Sequence, residues 1–392
     1  MQKNIMTRLV RLGEKSPKSA SIPKTAPIYM TSSFSFDDVE TLEEIYNGEN
    51  TGYIYSRISN PGHDVLKDVM VGIEEGQAAQ VYGSGMAAIT MSIISHVKSG
   101  DHIIAGNVLY GGSFQFLRDE LKKFNIEVTF IDLQKNNIEE CFKNNTKLVY
   151  VETISNPLME TTDIRTISDI CHKHNTKLIV DNTFATPVVC QPLKLGADIV
   201  VYSATKYLCG HSDVMAGVVI SDKDTIEKVS HTGCIYGPTM SPFDSWILTR
   251  SLRTLNLRVK QHSDNALKLA QYLQKHDKVK KVYYPGLTSS ESYNLSKEIF
   301  NNNAFGGMLS VDLVGGEKAV CDLIRVLESI KFVPSLAGVA TSLSYPVRTS
   351  HRAMNDDELE KAGISKGLLR ISTGLENIDD IINEFDEALK KI

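Results

Sequence analysis

From about residue 64 onward, short aliphatic and β-branched runs alternate with amphipathic segments. The runs Ala79–Tyr82, His102–Ala105, Val128–Ile131, Leu148–Glu152, Leu178–Asp181, Ile199–Ser203 and Val214–Ile220 predict strands. Segments 86–98, 113–124 and 164–174 between them carry helical spacing. Near-continuous apolar strands separated by helices describe a largely parallel sheet covered on both faces. Residues 256–276 place Leu257, Ala266, Leu269 and Leu273 among Lys and His, which predicts a long helix. A strand over Gly306–Leu313, a helix over 316–329 and a terminal helix over 378–391 follow. These form a second, smaller α/β domain beginning near residue 255.

The first 60 residues break the pattern. Pro23, Pro27, Pro61 and many Ser, Thr and Asn surround one helix-like stretch, 38–47. They read as an extended arm. With little core of its own, the arm must lie on the main domain or on a second subunit.

Composition narrows the class. A chain of 392 residues, 42% hydrophobic and 23% charged, has room for two domains and a large core. A net charge of −5 argues against a nucleic-acid binder. No run approaches the roughly 20 apolar residues of a membrane span. Arg8, Arg11, Glu14 and Lys15 interrupt the N-terminus, so no signal-peptide core is expected and a cytoplasmic address follows. The six cysteines are scattered without a C-x-x-C pair, which excludes a zinc ribbon or redox couple. Cys171, His172 and His174 lack a fourth ligand, so no metal is expected.

Polar residues stand where the strands end: Tyr82-Gly83-Ser84-Gly85, Glu152, Asp181 and Ser203. In open parallel sheets the ligand lies outside the carboxyl ends of the strands. Gly83-Ser84-Gly85-Met86-Ala87-Ala88 fits a glycine turn opening a helix, whose free N–H groups suit a phosphate. A dinucleotide would need an acid at the end of the next strand, and Asp101 precedes that strand instead. Ser203-Ala204-Thr205-Lys206-Tyr207 is either a capping pair before a solvated lysine, or phosphate donors beside an amine able to form a Schiff base. Asp181 closes an apolar strand 25 residues before Lys206 (206 − 181 = 25) and needs a cationic partner. A protonated pyridine nitrogen would serve. Phosphate donors, a reactive lysine and an Asp together describe a pyridoxal phosphate site.

The run from Asp181-Asn182-Thr183 through Gln191–Val200 to Ser203–Tyr207 and Gly210-His211-Ser212-Asp213 resembles a family signature. It is that of the pyridoxal phosphate enzymes of cysteine and methionine metabolism: cystathionine lyases and synthases, methionine gamma-lyases and acylhomoserine sulfhydrylases. The resemblance extends over Tyr55-Ser56-Arg57, Ser59-Asn60-Pro61, Ser84–Ala88, Tyr110-Gly111-Gly112, Asn156-Pro157, Ser335-Leu336 and Leu368–Gly374.

The resemblance implies an aspartate-aminotransferase-like (fold type I) α/β architecture with a mostly parallel seven-stranded sheet. It divides the chain into an arm (1–60), a cofactor domain (61–255) and a carboxylate-binding domain (256–392). Lys206 would hold pyridoxal phosphate covalently and shuttle protons, while Asp181 would keep the ring nitrogen protonated. Gly85, Met86, Ser203 and Thr205 would bind the phosphate, with Thr183 among the cofactor contacts. Tyr110 would stack on the ring and serve the leaving group. Asn156 would sit near the phenolic oxygen. Arg370 would take the substrate carboxylate, with Ser335 beside the substrate. Tyr55 and Arg57 would reach the phosphate of a neighbouring subunit, which implies a homotetramer, a dimer of catalytic dimers.

Within the family, enzymes acting on cystathionine commonly place a Glu where this chain has Ile54 and Ala340. Apolar residues there suit an apolar γ-substituent and make methionine the expected substrate. Gly112, where many methionine gamma-lyases carry Cys, cuts the other way. Gly62, Ala337 and Arg348 are further departures, and the added cation Arg348 suits an anionic substrate group. Cystathionine or cysteine/homocysteine lysis and γ-replacement on an acylated homoserine are the alternatives.

Overall fold

Seven strands build the larger sheet of the computed structural model, which describes residue 21 and residues 23–392. They are β1 (Ala78–Tyr82), β2 (His102–Gly106), β3 (Glu127–Ile131), β4 (Thr146–Glu152), β5 (Lys177–Asp181), β6 (Ile199–Ser203) and β7 (Gly217–Ser221). Their order is β1-β7-β6-β5-β4-β2-β3. Only β7 runs against its neighbours. The other pairings are parallel, so β1, β4, β5 and β6 all deliver their C-terminal ends to one edge.

Side-chain alternation explains why apolar runs make these strands. Leu178 and Val180 of β5 enter one apolar core, and Ile179 between them enters the other. Helices Pro61–Glu74 and Ile164–Lys173 cover the first face, through residues such as Leu66 and Ile167. Helices Gly85–Ile94 and Lys223–Tyr236 cover the second, through Ile89 and Val229. A sheet buried on both sides must read as continuous hydrophobicity.

Boundaries differ from the sequence expectation at several places, three of them in the larger sheet and the helices around it. The helix expected over 86–98 ends at Ile94, where the side chains of Ser95 and His96 bond back to the Ser92 carbonyl. The segment expected as one helix over 113–124 is a short helix Gly111–Gln115, a π-turn Phe116–Glu120 and a last turn Leu121–Lys123. The strand expected from Val214 starts at Gly217, because Ala216 gives its N–H to Thr205 Oγ1 (2.9 Å) rather than to a strand.

The smaller sheet has five strands: β8 (Val279–Tyr283), β9 (Met308–Leu313), β10 (Lys331–Phe332), β11 (Ser342–Ser344) and β12 (Leu368–Ser372). Their order is β10-β11-β12-β9-β8, antiparallel except for β10 with β11. Helices Leu255–Leu273 and Gly316–Val326 pack on it, and helix Ile378–Lys390 packs against those two helices.

Arg258, on the helix Leu255–Leu273, fastens the two parts together. Its guanidinium donates to the carbonyls of Tyr207 (2.7 Å), Leu208 (3.2 Å) and Ser251 (3.0 Å). Gly210 (φ +74°) permits this approach, since a Cβ there would stand 2.0 Å from Arg258 Nη1. The described part of the arm lies on its own chain. Trp246 Nε1 donates to the Ala26 carbonyl (2.9 Å), and Asn60 Nδ2 to that of Tyr29 (3.0 Å). Residues 1–20 and 22, also expected in the arm, lie outside the described residues. Among the described residues no helix is long and apolar enough to cross a membrane.

Candidate active site

A cavity of about 530 Å3 opens between the C-terminal ends of the large-sheet strands and the smaller sheet. It gathers Gly85, Met86, Tyr110, Asn156, Asp181, Thr183, Ser203, Thr205, Lys206, Ser335 and Arg370. Residues spread over 285 positions (370 − 85 = 285) thus converge on one space.

One end is built for an anion. Helix Gly85–Ile94 begins there, capped by Ser84, whose Oγ accepts from Ala87 N at 3.1 Å. The remaining N–H groups of its first turn point outward. Gly85 lets the turn press against β6: a Cβ would stand 2.5 Å from Ser203 Cβ. Thr183 Oγ1 accepts from Ser203 N at 2.8 Å, which ties the ends of β5 and β6.

The floor is Asp181, 7% exposed. Its Oδ1 accepts from Thr183 N (3.0 Å) and its Oδ2 from Tyr150 Oη (3.2 Å). Burial raises its carboxyl above the ordinary range, and those donors pull the other way. A cation set over it would hold it ionised.

Glu152 is its partner in register on β4 and is equally buried. Burial and the nearby charge of Asp181 push Glu152 well above the carboxylate range, so it is the protonated member of the pair. It accepts the backbone N–H of Tyr110 at 2.7 Å and thereby sets the turn that presents the phenol. The sequence marks Glu152 as a polar strand end without assigning it a task. Only the pairing with Asp181 reveals one.

Lys206 reaches in from the turn after β6, its Nζ donating to Ser335 Oγ at 3.2 Å. Burial, then the charge of Arg370, lower its ammonium to about 8. The solvated-lysine alternative is thereby excluded. Arg370, on β12, is 3% exposed. Its Nη1 donates to Asn156 Oδ1 at 2.8 Å, while Nε is buried and has no partner. Burial lowers it to about 10, still charged at neutral pH. A buried cation with an unused donor beside a cavity calls for an anionic ligand.

Tyr110 is 43% exposed and leans over Gly112, where a Cβ would stand 2.6 Å from Tyr110 Cε1. The rim is the stretch 348–352, whose Arg348 and Arg352 also line the cavity. Arg348 Nη2 pairs with Glu317 Oε1 at 2.6 Å. Arg352 makes no ion pair among the described residues. The sequence raises Arg348 but not Arg352. Neither Ile54 nor Ala340 lines this cavity.

Tyr55 and Arg57 do not join the site within one chain. Tyr55 is 43% exposed, and Arg57 Nη1 donates to the Cys234 carbonyl at 2.7 Å. The Cys171, His172 and His174 side chains diverge: Cys171 is in the core, His172 faces Asp198 (3.3 Å), and His174 stacks on Phe142.

A helix start for a phosphate, a buried carboxylate for a ring cation and a lysine with a lowered pKa fit pyridoxal phosphate. The fit rests on the cradle that a Cβ at Gly85 would fill and on the unpartnered Nε of Arg370.

Comparison with known proteins agrees. A model of the Cys/Met metabolism PLP-dependent enzymes matches residues 6–390. The chain is 42% identical over 370 residues to an L-methionine gamma-lyase of Porphyromonas gingivalis, covering 93% of this chain and 92% of that one. It is 38% identical over 356 residues to the cystathionine gamma-lyase of Bacillus subtilis, covering 90% and 93%. A solved structure of a candidate O-acetylhomoserine (thiol)-lyase from Campylobacter jejuni superimposes with a TM-score of 0.89 at 31% identity, covering 93% and 95%. That structure carries a pyridoxyl-lysine phosphate.

Proposed function

Since the chain belongs to the PLP-dependent enzymes of Cys/Met metabolism, we propose that it catalyses α,γ-elimination of L-methionine. The products are methanethiol, ammonia and 2-oxobutanoate, with one water consumed. When bound, pyridoxal phosphate supplies an electron-withdrawing ring that acidifies the Cα–H of an attached amino acid. The rest is the work of this chain.

The N–H groups at Gly85 and Met86, with Ser203 and Thr205, would hold the phosphate, and Asp181 the ring nitrogen. Arg370 would clamp the substrate carboxylate with Nε and an Nη, oriented by Asn156. Lys206, whose amine is readily freed of its proton, would take the Cα proton and then a Cβ proton, whose electron pair expels the sulfur from Cγ, with Ser335 Oγ in reach of its Nζ. Tyr110, on the turn held by Glu152, would pass a proton to the departing sulfur. Tyr55 and Arg57 of one copy would reach the phosphate end of its neighbour, so the working unit is a dimer, assembled as a dimer of dimers.

One observation carries this reading: Lys206, Asp181 and Arg370 share a cavity whose apolar walls include Ile154, Phe184, Met215 and Leu336. Those walls suit an S-methyl group. A second reading has its own support, because Arg352 lines the cavity and makes no ion pair among the described residues. It favours a substrate with a carboxylate at its far end, such as cystathionine.

The deciding experiment offers the purified enzyme methionine, cystathionine, homocysteine, cysteine and an O-acylhomoserine with and without sulfide, reading 2-oxobutanoate against pyruvate. Methionine giving 2-oxobutanoate supports the proposal. Turnover of cystathionine with none from methionine replaces it with the second reading.

A further inference from the structure

His351 is buried, 1% exposed, and does not line the cavity. Its Nε2 lies 3.0 Å from the Leu109 carbonyl oxygen and 3.1 Å from that of Asn156. Both partners can only accept, so Nε2 carries the hydrogen and donates to both. Nδ1 is then the acceptor nitrogen of a neutral ring and takes the Ser350 hydroxyl, 2.9 Å away. Burial and the charge of Arg370 hold the imidazole at about 4, which keeps that neutral form in place.

Each of these partners leads to a different part of the site. Leu109 immediately precedes Tyr110. Asn156 grips Arg370 through its side chain. Ser350 belongs to the rim stretch that carries Arg348 and Arg352. Ser350 also presses on the tyrosine turn, since a Cβ at Gly111 would stand 1.5 Å from its carbonyl oxygen. The leaving-group end and the carboxylate end of a bound amino acid are therefore spaced by one imidazole.

We propose that His351 is a positioning residue that fixes the distance between Tyr110 and Arg370 by bridging the Leu109 and Asn156 carbonyls. It rests on the roles given to those two side chains above. Removing the bridge frees both loops at once, and a displacement of about 1 Å at reacting groups costs roughly 100-fold in rate. The phosphate cup, Asp181 and Lys206 sit on other strand ends and keep the cofactor.

The test compares His351→Ala, His351→Gln and Ser350→Ala in the cofactor-loaded enzyme. L-norleucine, shaped like methionine but without a leaving group, is titrated against the absorbance of the bound cofactor. Turnover is followed with whichever sulfur amino acid the wild type uses best. His351→Ala is expected to weaken norleucine binding about 10-fold and lower kcat/KM about 100-fold, with the cofactor content unchanged. His351→Gln, whose amide donates to the same carbonyls, restores most of both. Ser350→Ala produces a smaller loss of the same kind, and it carries the test if His351→Ala does not fold. Binding and kcat/KM within twofold of wild type overturn the proposal. So does a loss of cofactor shared equally by the Ala and Gln variants, which marks a role in folding alone. Failure of the methionine reading shows in the wild type's products and leaves the norleucine titration intact.

Discussion

Arg370 Nη1 donates to Asn156 Oδ1 at 2.8 Å, while the same guanidinium keeps a buried Nε without a partner. The asparagine consumes one donor and turns the remaining fork toward the cavity. Arg370→Ala should lose about 2–4 kcal/mol of substrate binding, roughly 30- to 1,000-fold in kcat/KM. Asn156→Ala should lose about 10-fold, because the charge stays but its aim does not. Steady-state kinetics on both variants, with cofactor content checked by absorbance, reads the difference. Equal losses would show that Asn156 does more than aim the arginine.

The lowered pKa of Lys206 sets the pH at which cofactor-stripped enzyme recaptures pyridoxal phosphate. Only the neutral amine attacks the aldehyde, and a lysine lowered to about 8 frees its proton above that pH. Recapture should therefore climb with pH and reach half its maximum near 8, well below the ordinary 10.5. Arg370→Ala removes one of the two causes and should move the midpoint upward. Stopped-flow absorbance over pH 6–10 follows it. An unmoved midpoint would leave burial as the whole cause.

Glu152 is held protonated by burial and by Asp181. Glu152→Gln keeps an acceptor for the Tyr110 N–H without adding charge, so activity should stay within about threefold. Glu152→Ala strands that buried N–H and should cost about 1–3 kcal/mol, about 5- to 150-fold in kcat. A glutamine variant as damaged as the alanine variant would mean that Glu152 works as an anion.

Stability should fall as pH rises from about 4.5 to 8 because of Glu74. This acid is 0% exposed, accepts from Tyr202 Oη at 2.5 Å, and is raised by burial to about 8. Its folded pKa exceeds the unfolded value, so the folded state binds the extra proton between about 4.5 and 8. That contribution is complete below 4.5 and is lost as pH climbs through 8. Glu74→Gln, which cannot ionise, should flatten the Tm profile between pH 6 and 9. Calorimetry of both proteins across that range supplies the comparison.

Gly85→Ala would place a Cβ 2.5 Å from Ser203 Cβ and 2.8 Å from Ser203 Cα. The backbone of β6 cannot yield as a side chain could, so the helix start must shift. Cofactor affinity should fall at least about 10-fold and stability by about 1–3 kcal/mol. Equilibrium dialysis and urea unfolding measure the two separately.

How much of this the sequence revealed depends on where each residue sits. Asp181 and Lys206 interrupt or follow apolar strands, and strand ends are visible in a periodic pattern. The seven strands of the large sheet were legible for the same reason, since a sheet covered on both faces leaves unbroken apolar runs. Arg370 was reached only through family resemblance. It lies within a short strand, and nothing in Leu368–Ser372 says that Nε will be left over. His351 was invisible, because its partners Leu109 and Asn156 are distant in sequence and offer only backbone oxygens. The start of β7 was misplaced because a threonine side chain, Thr205, takes the backbone bond that Val214-Met215-Ala216 looked fit to give a strand. Tyr55 and Arg57 came from resemblance too, and one chain gives them other partners.

The three carbonyls clasped by Arg258 have a mechanical meaning. Tyr207 and Leu208 follow the reactive lysine directly, whereas Arg258 belongs to the long helix that leads into the smaller sheet. Swinging that helix away would drag the lysine's turn with it or tear out a buried guanidinium. Arg258 therefore couples the turn that carries Lys206 to the helix under the smaller sheet, so that a shift in either is passed to the other.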